Sequence, residues 1–326
     1  MKAIVIREPG GPQVLEQTER PTPEPGPSEI RVRVKASALN RADLLQRRGM
    51  YPPPAGAPAD IPGLEYAGEV DAVGPGAGLW GVGNRVMGII GGGSYAEYVC
   101  VHEREAMRVP HNLEWKEAAA IPEAFLTAYD ALVRQLDIQV GERVLIHAVG
   151  SGVGTAALQL ARAAGAITLG TSRTAAKLAS AAELGLDQGF DTSDVGWVEK
   201  IASATANEGI NVVLDLVGGD YLPINLRLLA PRGRAIIVGT IAGSRAELDL
   251  RLMMQKRVQL MGTVLRARPL EEKISLAREF SDAVLPLFAS GRIRPVIGQV
   301  YSFEDVVKAH RTMEENRSFG KMVLMW

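Results

Sequence analysis

Polar and apolar positions alternate with period two over Glu29-Ile-Arg-Val-Arg-Val-Lys35, and Glu65 to Val73 and Asn84 to Ile90 are further short apolar runs. Up to about residue 120 this texture predicts β-strands, punctuated throughout by glycine and proline. The first residues, Met1-Lys-Ala-Ile-Val-Ile-Arg7, enter the same alternation directly, without the charged leader and apolar segment of a signal peptide. Pro21 to Pro27 reads as an extended connector, and Tyr51-Pro-Pro-Pro54 as a stiff loop closed to helix and central strand. From Trp115 the pattern changes to Ala-rich helical stretches alternating with apolar runs, which predicts βαβ units and a parallel sheet. The predicted strands there are Arg143–Ala148, Ile167–Thr171, Asn211–Val217, Arg234–Val238 and Val258–Val264. A helix over Leu270–Ser290, a strand over Val296–Tyr301, a helix from Phe303 and a strand over Lys321–Met325 come next, and this tail can return to complete the first domain. The chain is therefore expected to be an α/β protein with a β-rich domain, residues 1–120 and 266–326, and a doubly wound parallel-sheet domain, residues 121–265.

Chemistry concentrates where Arg143-Val-Leu-Ile-His-Ala148 runs into Val149-Gly-Ser-Gly-Val-Gly154 and then into the amphipathic stretch Thr155–Gly165. In a strand, turn and helix of this kind, small residues let the main chain approach a pyrophosphate, which then meets the free N–H groups and positive dipole end of the helix. Val149 and Ser151 stand where the first two glycines of G-x-G-x-x-G would align with Gly154. Ile167–Thr171 completes the unit. After it comes Ser172-Arg173, with Lys177 four residues on, at the place where an NAD site carries an acid for the ribose hydroxyls. An Arg there accommodates a 2'-phosphate, so the cofactor expected is NADPH. Solvated surface is the alternative for Arg173 and Lys177.

Composition narrows the partners. The 326 residues carry a formal net charge of -1, so no basic surface for nucleic acid is implied. No uninterrupted apolar run reaches membrane-span length, and the single cysteine, Cys100, fits a reducing compartment as a small buried apolar residue; a cytoplasmic protein is expected. His102, His111, His147 and His310 show no ligand spacing and are read as structural or surface residues.

Several separated motifs then carry a resemblance: Asn40-Arg-Ala-Asp43, Gly49-Met-Tyr51-Pro-Pro-Pro54, Pro62-Gly-Leu-Glu-Tyr-Ala-Gly-Glu-Val70 and His147-Ala-Val-Gly-Ser-Gly-Val-Gly154. Over nearly the full chain the sequence resembles the medium-chain dehydrogenase/reductases, and within them the zinc-independent, zeta-crystallin-like quinone oxidoreductases of the tumour-suppressor-inducible branch. The resemblance implies a GroES-like first domain and a Rossmann second domain. Relative to the zinc alcohol dehydrogenases of that superfamily, Asn40 replaces the first metal ligand, Leu64 replaces the histidine, Glu123 falls near the third, and the four-cysteine structural lobe is missing. Asn and Leu cannot hold zinc, so no metal site is expected.

The resemblance further implies direct hydride transfer from NADPH to a quinone, with Asn40 and Tyr51 as neutral hydrogen-bond donors to the oxyanion that forms. Asn40 would lie near the nicotinamide, and Tyr51 on the proline-stiffened loop at the mouth. Ser151, Gly152 and Val153 match the pyrophosphate turn, and Ser172, Arg173 and Lys177 the 2'-phosphate site. By family analogy Thr127, Val217, Gly239, Thr240, Thr263, Val264, Leu265 and Asn316 approach the rest of the cofactor. Two alternatives stay open: an NADPH-dependent alkenal or enone reductase, and a non-catalytic NADPH-binding protein. Association as a homodimer or homotetramer, through the sheet edge around Val258–Val264, is also implied.

Overall fold

The computed structural model describes all 326 residues. They fall into two compact units, Met1–Leu126 with Leu265–Trp326, and Thr127–Val264.

The first unit opens with β1 (Lys2–Ile6) and β2 (Leu15–Glu19), an antiparallel pair, followed by β3 (Glu29–Ala38), α1 (Arg41–Arg47) and β4 (Glu65–Val73). Then come β5 (Arg85–Ile89), β6 (Tyr98–His102), β7 (Met107–Arg108), α2 (Trp115–Ala119) and the start of α3 (Pro122–Tyr129), which passes at Thr127 into the second unit and continues there as a π-helical stretch over Asp130–Gln135. The alternation in β3 has its ordinary physical outcome: Ile30, Val32 and Val34 enter a core with Tyr66, Val70, Val86, Val99 and Val101, while Arg31 and Arg33 on the other face pair with Asp71. Glycine and proline leave the loops between these strands without α-helix apart from α1, with single 3-10 turns at Pro12–Val14 and Glu103–Glu105.

The second unit strings β8 (Arg143–Ile146), α4 (Gly152–Ala163), β9 (Ile167–Ser172), α5 (Ala175–Glu183), β10 (Gln188–Asp191), α6 (Trp197–Ala204) and β11 (Ile210–Asp215). It closes with α7 (Tyr221–Leu228), β12 (Leu229–Ile237), α8 (Leu250–Lys256) and β13 (Gln259–Gly262). All six strands are parallel in the order β10-β9-β8-β11-β12-β13, so the direction of winding reverses between β8 and β11. Val144, Leu145 and Ile146 of β8 and Val212, Val213 and Leu214 of β11 have no exposed surface, because helices cover both faces; such strands read as unbroken apolar runs.

The tail returns to the first unit as α9 (Leu270–Ala283), α10 (Leu285–Ala289), β14 (Ile297–Ser302), α11 (Val306–Glu314) and β15 (Lys321–Met325). β15 lies between β14, to which it is parallel, and β3, to which it is antiparallel, in the sheet ordered β14-β15-β3-β4-β5-β7, with β6 also paired to β3. Met322 and Leu324 thereby join a core with Ala3, Ile4, Leu39, Leu44 and Phe303.

Several boundaries differ from the sequence reading for identifiable reasons. The helix expected over Leu270–Ser290 divides at Val284, since Pro286 has no N–H to donate to the preceding turn but is tolerated in the first turn of a new helix. Of the run Val258–Val264, only Gln259–Gly262 is strand. α4 starts at Gly152 rather than Thr155, because Ser151 caps it by accepting from Gly154 N at 3.0 Å. Cys100 is half-buried rather than buried, and that burial pushes its thiol up to about 11, away from thiolate chemistry. No helix is long and apolar enough to cross a membrane.

Candidate functional site

In the second unit, the turn between β8 and α4 fits a dinucleotide phosphate. The N–H groups of Gly152 and Val153, in the first turn of α4, make no hydrogen bond within the protein, and Ser151, Gly152 and Val153 are all partly exposed. Gly154 closes the turn where no side chain fits, since a Cβ there would stand 2.5 Å from Ala148 O and 2.7 Å from Val149 O. The turn sits on the β8 side of the winding reversal, where parallel sheets open a crevice at their C-terminal ends. Val217, after β11, and Gly239 and Thr240, after β12, leave the sheet at the same end, joined by the Ala242 N to Val217 O bond of 2.9 Å.

Ser172 ends β9 with its Oγ accepting from Thr174 N at 3.3 Å. Arg173 is exposed and carries no ion pair, whereas Lys177 is partly buried in the first turn of α5. Arg173 lies in the connecting turn and not on that helix, so the two basic residues do not share a helix face. No acid occupies the end of β9.

A buried relay fixes this crevice from below. His147, directly after β8, places Nε2 2.6 Å from Asn225 Oδ1 and Nδ1 2.9 Å from Thr171 Oγ1. Asn225 donates through Nδ2 to Asp215 Oδ2 at 2.8 Å, so its Oδ1 must accept, Nε2 carries the imidazole proton, and the Thr171 hydroxyl donates to Nδ1. Burial holds His147 below its usual range and hence neutral. The other oxygen of Asp215 accepts from Val217 N at 2.8 Å and Gly218 N at 2.9 Å. The ends of β8, β9, β11 and α7 are thus tied in one network. The sequence marks His147 as structural or surface but reveals none of these contacts, because its partners lie 24 and 78 residues away.

In the first unit, Asn40 links β3 to α1. Its side-chain Nδ2 donates to Glu65 Oε1 at 2.8 Å and to Ala38 O at 3.2 Å, and its Oδ1 accepts from Lys321 Nζ at 2.7 Å. Lys321, the first residue of β15, also donates to Glu65 Oε1 at 2.6 Å and Leu39 O at 2.9 Å. Glu65 Oε2 accepts from Glu123 N at 2.8 Å. This buried ion pair is fully hydrogen-bonded, which is the condition under which such a pair is tolerated. Asn40 is therefore rigidly oriented, and the longer of its two donated bonds, to Ala38 O, is the weaker and the more readily exchanged for another acceptor.

Asp43 accepts from Asn40 N at 2.7 Å, Gly63 N at 3.1 Å and the Tyr95 hydroxyl at 3.3 Å. Burial still pushes its carboxyl up to about 6, against the pull of those N–H groups and Lys321. Behind Tyr95, His310 is held down at about 3 by burial and by Arg47, 3.2 Å from its Nδ1. Tyr51 lies beneath Arg266, whose guanidinium is 4.9 Å from the ring centroid; burial raises the phenol above its ordinary value.

The remaining residues expected at the cofactor are divided between the units. Thr127 is buried in α3, and Thr263 comes after β13 with Oγ1 3.1 Å from Asp130 Oδ2; Val264 is exposed beside it. Leu265 is buried in the first unit, and Asn316, at φ 57 after α11, accepts from Arg41. Leu64 is buried and Glu123 partly exposed. No group of three His, Cys, Asp or Glu side chains is arranged to hold a metal ion.

Two family models match the chain: an alcohol dehydrogenase GroES-like domain over residues 26–111 and a zinc-binding dehydrogenase over residues 152–282. The human quinone oxidoreductase is 32% identical over 329 residues, covering 100% of this chain and 98% of its own. The chain belongs to the medium-chain dehydrogenase/reductase family, among its quinone oxidoreductases. Among solved structures of that family, an NAD-dependent alcohol dehydrogenase superposes with a TM-score of 0.88 at 34% identity, covering 100% of both chains. The JamJ enoyl reductase superposes with a TM-score of 0.88 at 27% identity, covering 99% of this chain and 98% of its own. The family membership makes the chain an oxidoreductase of nicotinamide dinucleotides, built from a GroES-like and a Rossmann-like domain.

Proposed function

We propose that this oxidoreductase transfers hydride from NADPH to a quinone and does so without zinc. The observation that carries the reading is the chemistry at the metal positions: an amide at Asn40, locked by Glu65 and Lys321, and an aliphatic chain at Leu64, in a protein similar along its whole length to quinone oxidoreductases. When bound, NADPH supplies the hydride. Ser151, Gly152 and Val153 would hold its pyrophosphate, and Ser172, Arg173 and Lys177 its 2'-phosphate. Thr127, Val217, Gly239, Thr240, Thr263, Val264, Leu265 and Asn316 would frame the rest. Asn40 and Tyr51 donate to the acceptor oxygen; a quinone forms a stabilised anion on reduction, for which neutral donors suffice.

The likeness to an enoyl reductase favours a second reading, reduction of an α,β-unsaturated carbonyl by the same donor. Under either reading the protein works in the cytoplasm, and copies pair as a dimer or tetramer through β13, the last strand of its sheet, whose outer backbone groups are open.

The test is oxidation of NADPH and NADH, side by side, with ortho-quinones, para-quinones and enals, in the presence of a chelator. Chelator-insensitive NADPH turnover with quinones is the expected result. Turnover with enals alone moves the assignment to the second reading, NADH preference removes the role of Arg173, and tight NADPH binding without turnover overturns both enzymatic readings.

A further inference from the structure

Three polar groups in the first unit neighbour one another with hydrogen-bonding capacity that the protein leaves unused. Arg266 is only 7% exposed, yet no carboxylate lies within ion-pair distance of its guanidinium. Nε donates to Gly91 O at 2.7 Å, one Nη to Tyr51 O at 3.3 Å and the other to Gln46 Oε1. Two of its five N–H groups stay uncommitted. A cation buried against neutral acceptors alone is costly, and a built site for an oxygen that gains negative charge explains its retention.

The Tyr51 hydroxyl, whose ring the guanidinium covers, makes no hydrogen bond, and neither does the Glu123 carboxyl. Glu123 projects from the first turn of α3 and feels charge from each surrounding element: Glu65 of β4, Asp43 in α1, Lys321 of β15 and Arg266. Lys321 is already committed to Glu65, Asn40 and Leu39. Burial first, and the Glu65 carboxylate second, push the Glu123 carboxyl up to about 8, so that it keeps its proton at neutrality.

Building on the quinone-reductase reading, we propose that Glu123 delivers the proton that accompanies the hydride, while Arg266 and the Tyr51 hydroxyl hold the acceptor's carbonyl oxygen. The acceptor takes two electrons and a hydrogen from C4 of NADPH, whose C–H bond breaks, and becomes the hydroquinone monoanion. The Glu123 O–H bond then breaks, its proton forms the second phenolic O–H, and the carboxylate regains a proton from water. Transfer from an acid of this strength to a phenolate, whose conjugate acid titrates near ~10, runs downhill.

Glu123→Gln keeps the shape and removes the proton. In the ligand-free wild type, infrared spectra at neutral pH should show a protonated-carboxyl stretch that fades as pH rises through about 8, and E123Q should lack it. With NADPH and a para-quinone, wild-type kcat should fall above that pH and show a solvent isotope effect. E123Q should lose about a hundredfold in kcat at neutrality, lack the alkaline fall and bind NADPH as the wild type does. Arg266→Lys should raise KM for the quinone about tenfold and lower kcat severalfold, because the lost guanidinium contact holds the bound oxygen and strengthens as charge develops on it. Wild-type kcat and pH dependence in E123Q, or absence of the carboxyl band, overturns the assignment of the proton to Glu123; an unchanged quinone KM in R266K overturns that of the anchor. A wild type that turns over no quinone at all overturns the parent reading, and with it the acceptor named here.

Discussion

Arg173 stands exposed in the turn after β9, with Ser172 beside it and no acid to take a pair of ribose hydroxyls. Under the NADPH reading proposed above, a guanidinium in that position discriminates between cofactors through one phosphate, and a charge-assisted hydrogen bond of this kind contributes about 1.5–3 kcal/mol. Arg173→Ser is therefore expected to raise KM for NADPH by roughly tenfold or more, while KM for NADH changes little. Steady-state kinetics with both cofactors checks this; equal effects on the two would assign Arg173 to solvent. The signal is readable in sequence because it is local, lying two residues past an apolar run. Glu65 and Lys321 are not readable in that way: their ion pair joins residues 256 apart, and only the intrusion of a lysine at the head of the apolar run Lys321–Met325 hints at it. Arg266 and its ring contact with Tyr51 are invisible for the same reason.

Among the elements, α4 depends most sharply on a missing side chain. A methyl group on Gly154 would press on two carbonyl oxygens of the preceding turn, at 2.5 and 2.7 Å, neither of which can yield without unseating the turn. Gly154→Ala should therefore weaken NADPH binding at least tenfold and destabilise the fold by about 1–3 kcal/mol, as overpacking does. Fluorescence titration and thermal melts measure the two effects, and a variant that binds normally would show that the turn has slack. Element type is legible wherever packing is two-sided: β8 and β11, covered by helices, read as continuous apolar runs, and β3, with one face in the core, as clean alternation. Legibility fails at ends. Leu229–Ala230, at the head of β12, precede Pro231, Arg232 at φ 65 and Gly233, which look like a turn and fall in an irregularity of the strand, whose regular pairing resumes at Arg234. The break before Pro286 and the short β13 likewise depend on local backbone chemistry that hydrophobic period does not register.

At the scale of the whole molecule, buried titratable groups set opposing pH limits. Glu123 has a folded-state value near 8 against an ordinary 4.5, so the folded chain binds its proton more tightly than the unfolded chain, and stability falls as pH rises between those values. Asp43 acts in the same direction between 3.8 and about 6. His310 and His147, kept neutral by burial, act oppositely: below the usual histidine range the unfolded chain takes protons that the fold refuses. E123Q should therefore melt higher than wild type, by a margin that grows from pH 5 and levels above about 8, on the order of 2 kcal/mol allowing for solvent screening at its partly exposed side. Thermal denaturation across that range tests it, and a margin independent of pH would show that Glu123 ionises freely.

The seating of β15 between β14 and β3 also has a consequence for synthesis. Residues 127–264 form a contiguous unit, whereas residues 1–126 are completed by β15, a strand synthesised only after that whole unit. At ordinary elongation rates that wait is roughly 10–40 s, during which the edge of β3 over Ala36–Ala38 lacks its partner, although the core of Ile30, Val32 and Val34 can already form with strands of the same unit. The order in which this protein is written is thus not the order in which its first sheet is completed.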